Sequence, residues 1–198
     1  MNTGTCKGAV LAGLMALAGC DTGGGATSAP LRAASMANGE MILVAPEGFC
    51  IDRRSLKSSF ALLARCDTLG DPDGAYGAPL GLITVSLSTI PANAAPISAA
   101  ALQSALSDGS VLDRIETADA VLLRVQGTAP TREGLSATHW RGTGQVGSQR
   151  VGLAMYGAGD SAATGREGGR VLDRLMQRTR AQAAATAQAA SATPAATE

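Results

Sequence analysis

From Leu82 to Ser88 the chain alternates without interruption: Ile83, Val85 and Leu87 are apolar, and Thr84, Ser86 and Ser88 between them are small and polar. Successive side chains of a strand point to opposite faces, so this stretch fits a strand with one buried and one wet face. A second alternating run, Gln149 to Tyr156 with Val151, Leu153 and Met155, comes after Ser136 to Thr143 and the glycine-containing segment Gly144 to Ser148. That arrangement predicts a β-hairpin. A sheet with one apolar face is required, and other elements must cover it.

Met41 to Ala45, Phe49 to Ile51 and Ala120 to Val125 are short apolar runs bounded by turn residues, and each is read as a further strand. Phe60 to Cys66 suits a buried strand or the end of a helix; the strand is preferred here, beside the one carrying Cys50. A helix is expected from Ile97 or Ser98 to just before Gly109, with Leu102 and Leu106 on one face. Val111, Leu112 and Ile115 are expected in a short helical turn. The second main helix should run from Glu167 or Gly168 to about Ala181 on the stripe Val171, Leu172, Leu175 and Met176. Arg166, Arg170, Arg174 and Arg178 recur on another side and read as a solvated face with Glu167 and Asp173 as partners, in preference to a phosphate or headgroup site. The order strands, helix, strands, helix predicts an α+β fold. Its expected form is an antiparallel or mixed sheet with two main helices packed on one face, in a single small domain spanning residues 39–181. The element order alone, with no residue motif, resembles small sandwich domains of the PsbP kind and implies nothing about activity.

Gly8 to Gly19 is an apolar segment of about a dozen residues, too short to span a bilayer comfortably and within the range of a signal-peptide core. It ends in Leu17-Ala18-Gly19-Cys20, with Asp21 next. This tetrapeptide resembles the lipobox of bacterial lipoproteins. The resemblance implies a signal peptide at residues 1–19 and lipidation at Cys20, with fatty-acyl chains such as palmitate holding the protein to a membrane outside the cytoplasm. Two or three chains anchor stably where one does not. Asp21 implies retention at the inner membrane, facing the periplasm. An ordinary secretory signal cut elsewhere is the competing reading, because Lys7 is the single positive charge of the leader. Residues 20–38 are small and polar and are expected to be a flexible tether. Residues 182–198 are expected to be a disordered Ala-rich tail whose alanines extend the helix only as a frayed end.

Once the leader is recognised, Cys6 leaves with it and Cys20 is taken by lipid. Cys50 and Cys66 remain, an even pair in a compartment where disulfides persist, and a bridge between them is expected; two buried free thiols are the alternative.

The formal net charge is zero and no basic block occurs, which excludes a nucleic-acid partner on electrostatic grounds. Gly142 to Gly147 matches the dinucleotide-binding pattern by letter. The segment after it, from Gln149, reads as a strand and not as the helix that would receive the pyrophosphate, so the glycines are assigned to a hairpin tip. Asp67, Asp71 and Asp73 lie in a loop running to Pro79, a candidate binding loop or a merely floppy one. They lack the spacing of a calcium loop, so no metal and no cofactor are expected. Asp113 and Glu116 stand at helical spacing in an ordinary surface pattern. His139, the single histidine, has no adjacent nucleophile or carboxylate and is expected as a strand side chain on the polar face; no catalytic residue is assigned. The functional expectation is a lipid-anchored extracytoplasmic binding or accessory protein of the bacterial cell envelope, with the membrane and an envelope protein as partners. The alternative is a small periplasmic hydrolase with a site assembled around His139 and Asp71 or Asp73. A ligand-binding protein of a transporter is a third class, although the chain is shorter than its two-lobed forms.

Overall fold

The computed structural model describes residues 30–91, 93–94, 97–106, 109–128 and 133–192. The fold is α+β. Its strands are β1 (Ala33–Met36), β2 (Met41–Val44), β3 (Phe49–Ile51), β4 (Phe60–Arg65), β5 (Leu82–Thr89), β6 (Ser110–Glu116), β7 (Ala120–Gln126), β8 (Thr138–Val146) and β9 (Gln149–Tyr156). Its helices are α1 (Ala99–Ser104) and α2 (Arg166–Ala192). Strands β3 to β9 form one seven-stranded sheet in the order β3-β4-β5-β9-β8-β7-β6, with every neighbour antiparallel, while β1 and β2 form a separate ribbon.

The alternation of β5 and β9 is used as the sequence demands. Ile83 and Val85 on β5 pair with Met155 and Leu153 on β9, and all four side chains enter one core. That core is closed by Val171, Leu172, Leu175 and Met176 of α2, the predicted stripe. Burying each such side chain contributes about 1.5–3 kcal/mol. On the other face, Val121, Leu123 and Val125 of β7 pack under Ile97, Leu102 and Leu106 around α1. The two helices therefore lie on opposite faces, not on one face as expected. The physical reason is visible in β7, whose Ala-Val-Leu-Leu run is buried throughout and has no solvent face to leave open. Ser98 caps α1, its hydroxyl accepting from the Ala101 N–H at 3.1 Å.

Four local expectations are corrected. Val111, Leu112 and Ile115 lie on β6, not in a helical turn. A register shift between Val111 and Asp113 sends Val111 to the α1 side and Ile115 to the α2 side, which conceals the period-two signal of the strand. Asp113 and Glu116 consequently stand on a strand, bonded to Arg166 and Arg114 respectively, and do not form a carboxylate pair on a helix. The segment assigned to the tether already contains β1, whose Ala34 and Met36 are buried. The turn at Asn38-Gly39 returns the chain into β2, and the Val44 N–H donates to Thr179 Oγ1 of α2 at 3.2 Å. At the other end, α2 continues to Ala192 because a helix nucleated by packing propagates readily through alanines. Leu17 to Cys20, residues 20–29 and residues 193–198 lie outside the described residues.

Trp140 of β8 lies fully buried under the start of α2, its indole N–H donating to the Gly165 carbonyl at 2.7 Å. A Cβ at Gly168 would collide with the Ala163 carbonyl oxygen and meet the Trp140 ring at 3.0 Å. Alanine is favoured over glycine inside a helix by about 1 kcal/mol, and here that preference is reversed by contact. Gly168→Ala is expected to lower the urea midpoint of unfolding; an unchanged or raised midpoint would show that the helix start is free to shift.

Candidate functional site

His139 comes directly after Thr138 at the start of β8, on the sheet face opposite α2, between Val125 of β7 and Tyr156 of β9. Neither neighbour is polar enough to keep it wet, and it is 6% exposed. The ring stacks on Tyr156 with centroids 5.0 Å apart. Nε2 lies 3.1 Å from the Arg141 Nε–H, and Nδ1 lies 3.0 Å from the Ala137 carbonyl oxygen. A guanidinium N–H only donates, so Nε2 accepts and the ring proton sits on Nδ1, donating to Ala137. The imidazole is neutral, with both nitrogens engaged. Burial chiefly, with the Arg141 charge as a further cause, holds its pKa below the ordinary 6.5 against the opposing pull of the Ala137 carbonyl.

This geometry gives His139 a positioning task. Its Nε2 orients Arg141, whose guanidinium carbon also lies 5.8 Å from the Tyr156 ring centroid. Arg141 projects from the middle of the sheet, and its terminal Nη groups make no hydrogen bond or ion pair among the described residues. In front of it runs a trough between α1 and strands β5 and β9. One end, about 230 Å³, is lined by Thr84, Ser86, Leu102, Gly152 and Ala154. The other, about 270 Å³, reaches His139, Val125 and Thr128. Ala105, Leu106 and Arg141 border both ends, so the two depressions adjoin at Arg141.

Two other depressions each hold an arginine that is ion-paired. A groove of about 590 Å³ beside the far part of α2 contains Arg180, which pairs with Asp119 at 2.7 Å and donates to the Ala118 carbonyl. A hollow of about 470 Å³ beside Tyr76 contains Arg32, paired with Asp71 at 2.8 Å, and is lined by Glu47 as well as Arg178. Tyr76 itself is exposed in the left-handed backbone region, held in the loop that comes after Cys66. Of the arginine row on α2, Arg166 pairs with Asp113, while Arg170 and Arg174 share Glu167. Asp173 bonds Thr117 and Gln177.

Cys50 and Cys66 form the expected disulfide, with Cα atoms 4.9 Å apart; Cys50 is on β3, and Cys66 opens a short 3-10 turn directly after β4. Asp71 lies near both sulfurs, but sulfurs bonded to one another offer no thiolate to a metal. The Asp71 carboxylate is bonded to Arg32, and the His139 ring to Ala137 and Arg141. Gly142 and Gly144 of the dinucleotide-like pattern are not at a hairpin tip but inside β8, where a Cβ at Gly144 would strike the end of the Met176 side chain; only Gly147, with φ 56°, makes the turn. Arg141 and Tyr156 are the site residues that sequence reasoning overlooks. The available signal is positional: Arg141 is two residues from His139 and hence on the same face of one strand.

Neither a protein-family model nor a curated protein matches the chain.

The unfolded chain takes up the histidine proton near 6.5, and the folded chain only at lower pH. Between those values the unfolded state binds more protons, so stability rises with pH. The stabilising contribution of neutral His139 is complete above 6.5 and is lost as the pH falls toward the folded-state value. The depressed carboxylates Asp67, Asp113 and Glu167 titrate from ordinary values of 3.8, 3.8 and 4.5, below this window. Urea midpoints measured from pH 7.5 to 5.5 are expected to fall for the parent chain and to be flatter for His139→Gln. Equal slopes in the two proteins would place the titrating group elsewhere.

Proposed function

We propose that the chain is a lipid-anchored binding protein of the bacterial cell envelope, working outside the cytoplasm as an accessory subunit. The observation that carries this reading is the Cys50–Cys66 disulfide, whose two cysteines are fully buried. Such a bond persists in oxidising compartments and is rare in cytosolic proteins. It agrees with the leader and with Cys20 as the lipidated residue. No described helix is long and apolar enough to cross a membrane, and a lipid on Cys20 supplies the anchor by a different route. Asp21 favours the inner membrane, with the domain facing the periplasm. A role in binding suits a domain whose single histidine orients an arginine beside an open trough.

Intact mass of detergent-extracted protein should show loss of residues 1–19 and added lipid on Cys20; an unmodified Cys20 would overturn the anchor. Crosslinking in cells should recover a stoichiometric envelope partner with the parent chain and lose it with Cys20→Ala, whereas a clean monomer in both would overturn the accessory role. Cys50→Ser with Cys66→Ser should cost about 3 kcal/mol of stability on the chain-entropy model, read from urea unfolding. A loss under about 1 kcal/mol would mean that the bridge constrains the unfolded chain little.

A further inference from the structure

The trough beside α1 joins three features that have no structural use for one another. Its floor holds an arginine whose terminal nitrogens are unmatched among the described residues, its α1 side carries Leu102, Ala105 and Leu106, and none of its described lining residues is acidic. The arginine is also held in place. Its Nε is committed to His139 Nε2 at 3.1 Å, and its guanidinium lies beside the Tyr156 ring. Side-chain entropy that a ligand would otherwise have to remove is already lost. A guanidinium fixed through Nε presents its two Nη groups as a fork, the geometry that meets a carboxylate with two parallel hydrogen bonds. Leu102, Ala105 and Leu106 stand along the same depression and offer apolar surface to whatever is attached to that carboxylate.

The geometry points to a small monocarboxylate with a short apolar tail as the ligand of this trough, its carboxylate on Arg141 and its tail along α1. One cation matches one negative charge; a phosphate dianion would be left half-neutralised here, because Arg141 is the one cationic residue among the described lining residues. The end that would hold the tail, beside Leu102, is about 230 Å³, smaller than the roughly 300–1,000 Å³ typical of sites for drug-sized ligands, which limits the tail to a few carbons. Thr84 and Ser86 add hydroxyls on the β5 side. The inference rests on the reading of the domain as a binding module and is independent of its anchor.

Butyrate and inorganic phosphate serve as probes, titrated separately into the isotopically labelled full chain carrying Cys20→Ala, with the Arg141 Nε–H and the His139 ring resonances tracked by NMR. Butyrate should shift both sets saturably in the millimolar range, and phosphate at the same ionic strength should not. Arg141→Lys keeps the charge but not the fork and should weaken butyrate by about tenfold. Ala105→Glu, at an exposed position bordering the trough, should weaken it at least as much with an unchanged unfolding midpoint, because its carboxylate would stand beside Arg141 in place of the ligand's. Absence of a saturable butyrate shift, equal affinity in Ala105→Glu, or tighter binding of phosphate would each overturn the assignment. Loss of an envelope partner in cells would strike the function reading alone, since the butyrate titration needs neither lipid nor partner.

Discussion

The structure depends on the seating of α2 across β8 at Trp140. The largest side chain of the core is buried to completion there, and its one polar atom is satisfied by the Gly165 carbonyl just before the helix begins. A buried indole N–H without a partner would cost about 1–3 kcal/mol, so this bond fixes where the helix may start. Gly168 and Gly169 then let the first turn lie directly on the ring, and Val171, Leu172, Leu175 and Met176 continue in register over the sheet. With that helix in place, Thr179 is in position to accept from Val44, which ties the β1–β2 ribbon to the main body.

The opposite face is built on a different principle. Among the described residues it carries α1 over β7 and little else, and across β5 and β9 it presents Thr84, Ser86, Gly152 and Ala154, side chains too small to fill the space beside the helix. The depression that results follows from the partial cover that the described residues give this face. His139 and Arg141 both line it because residues two apart on β8 share that face while Trp140 between them serves the core. One strand thus supplies the anchor of the fold and the charged end of the candidate site.

The fold was legible where the chain alternates or keeps a helical stripe over many residues. Leu82 to Ser88, Gln149 to Tyr156 and the stripe of α2 are read correctly because periodicity reports directly on burial. Reading failed where a local irregularity hides the period, as at the bulge beside Leu112, or where small residues make a weak strand, as at Ala33 to Met36. In the second case Asn38-Gly39 carried the turn signal. The candidate site was legible as one residue, His139. Its partners come from two strands, and the tautomer that gives it a role is set only by which atom faces Arg141.

By itself the sequence determined the α+β class, the hairpin and the apolar stripe of the last helix, because each depends on neighbours in the chain; it pointed to a Cys50–Cys66 bridge only through the reading of Cys6 and Cys20 as leader and lipid site, and the structure shows that bridge. Tertiary structure decided that the helices take opposite faces, that β1 joins the body, and that Arg141 stands beside a trough with its Nη groups unmatched among the described residues. Those outcomes depend on which surfaces meet across strands distant in sequence, and burial on both sides of β7 has no signature that separates one covering helix from two.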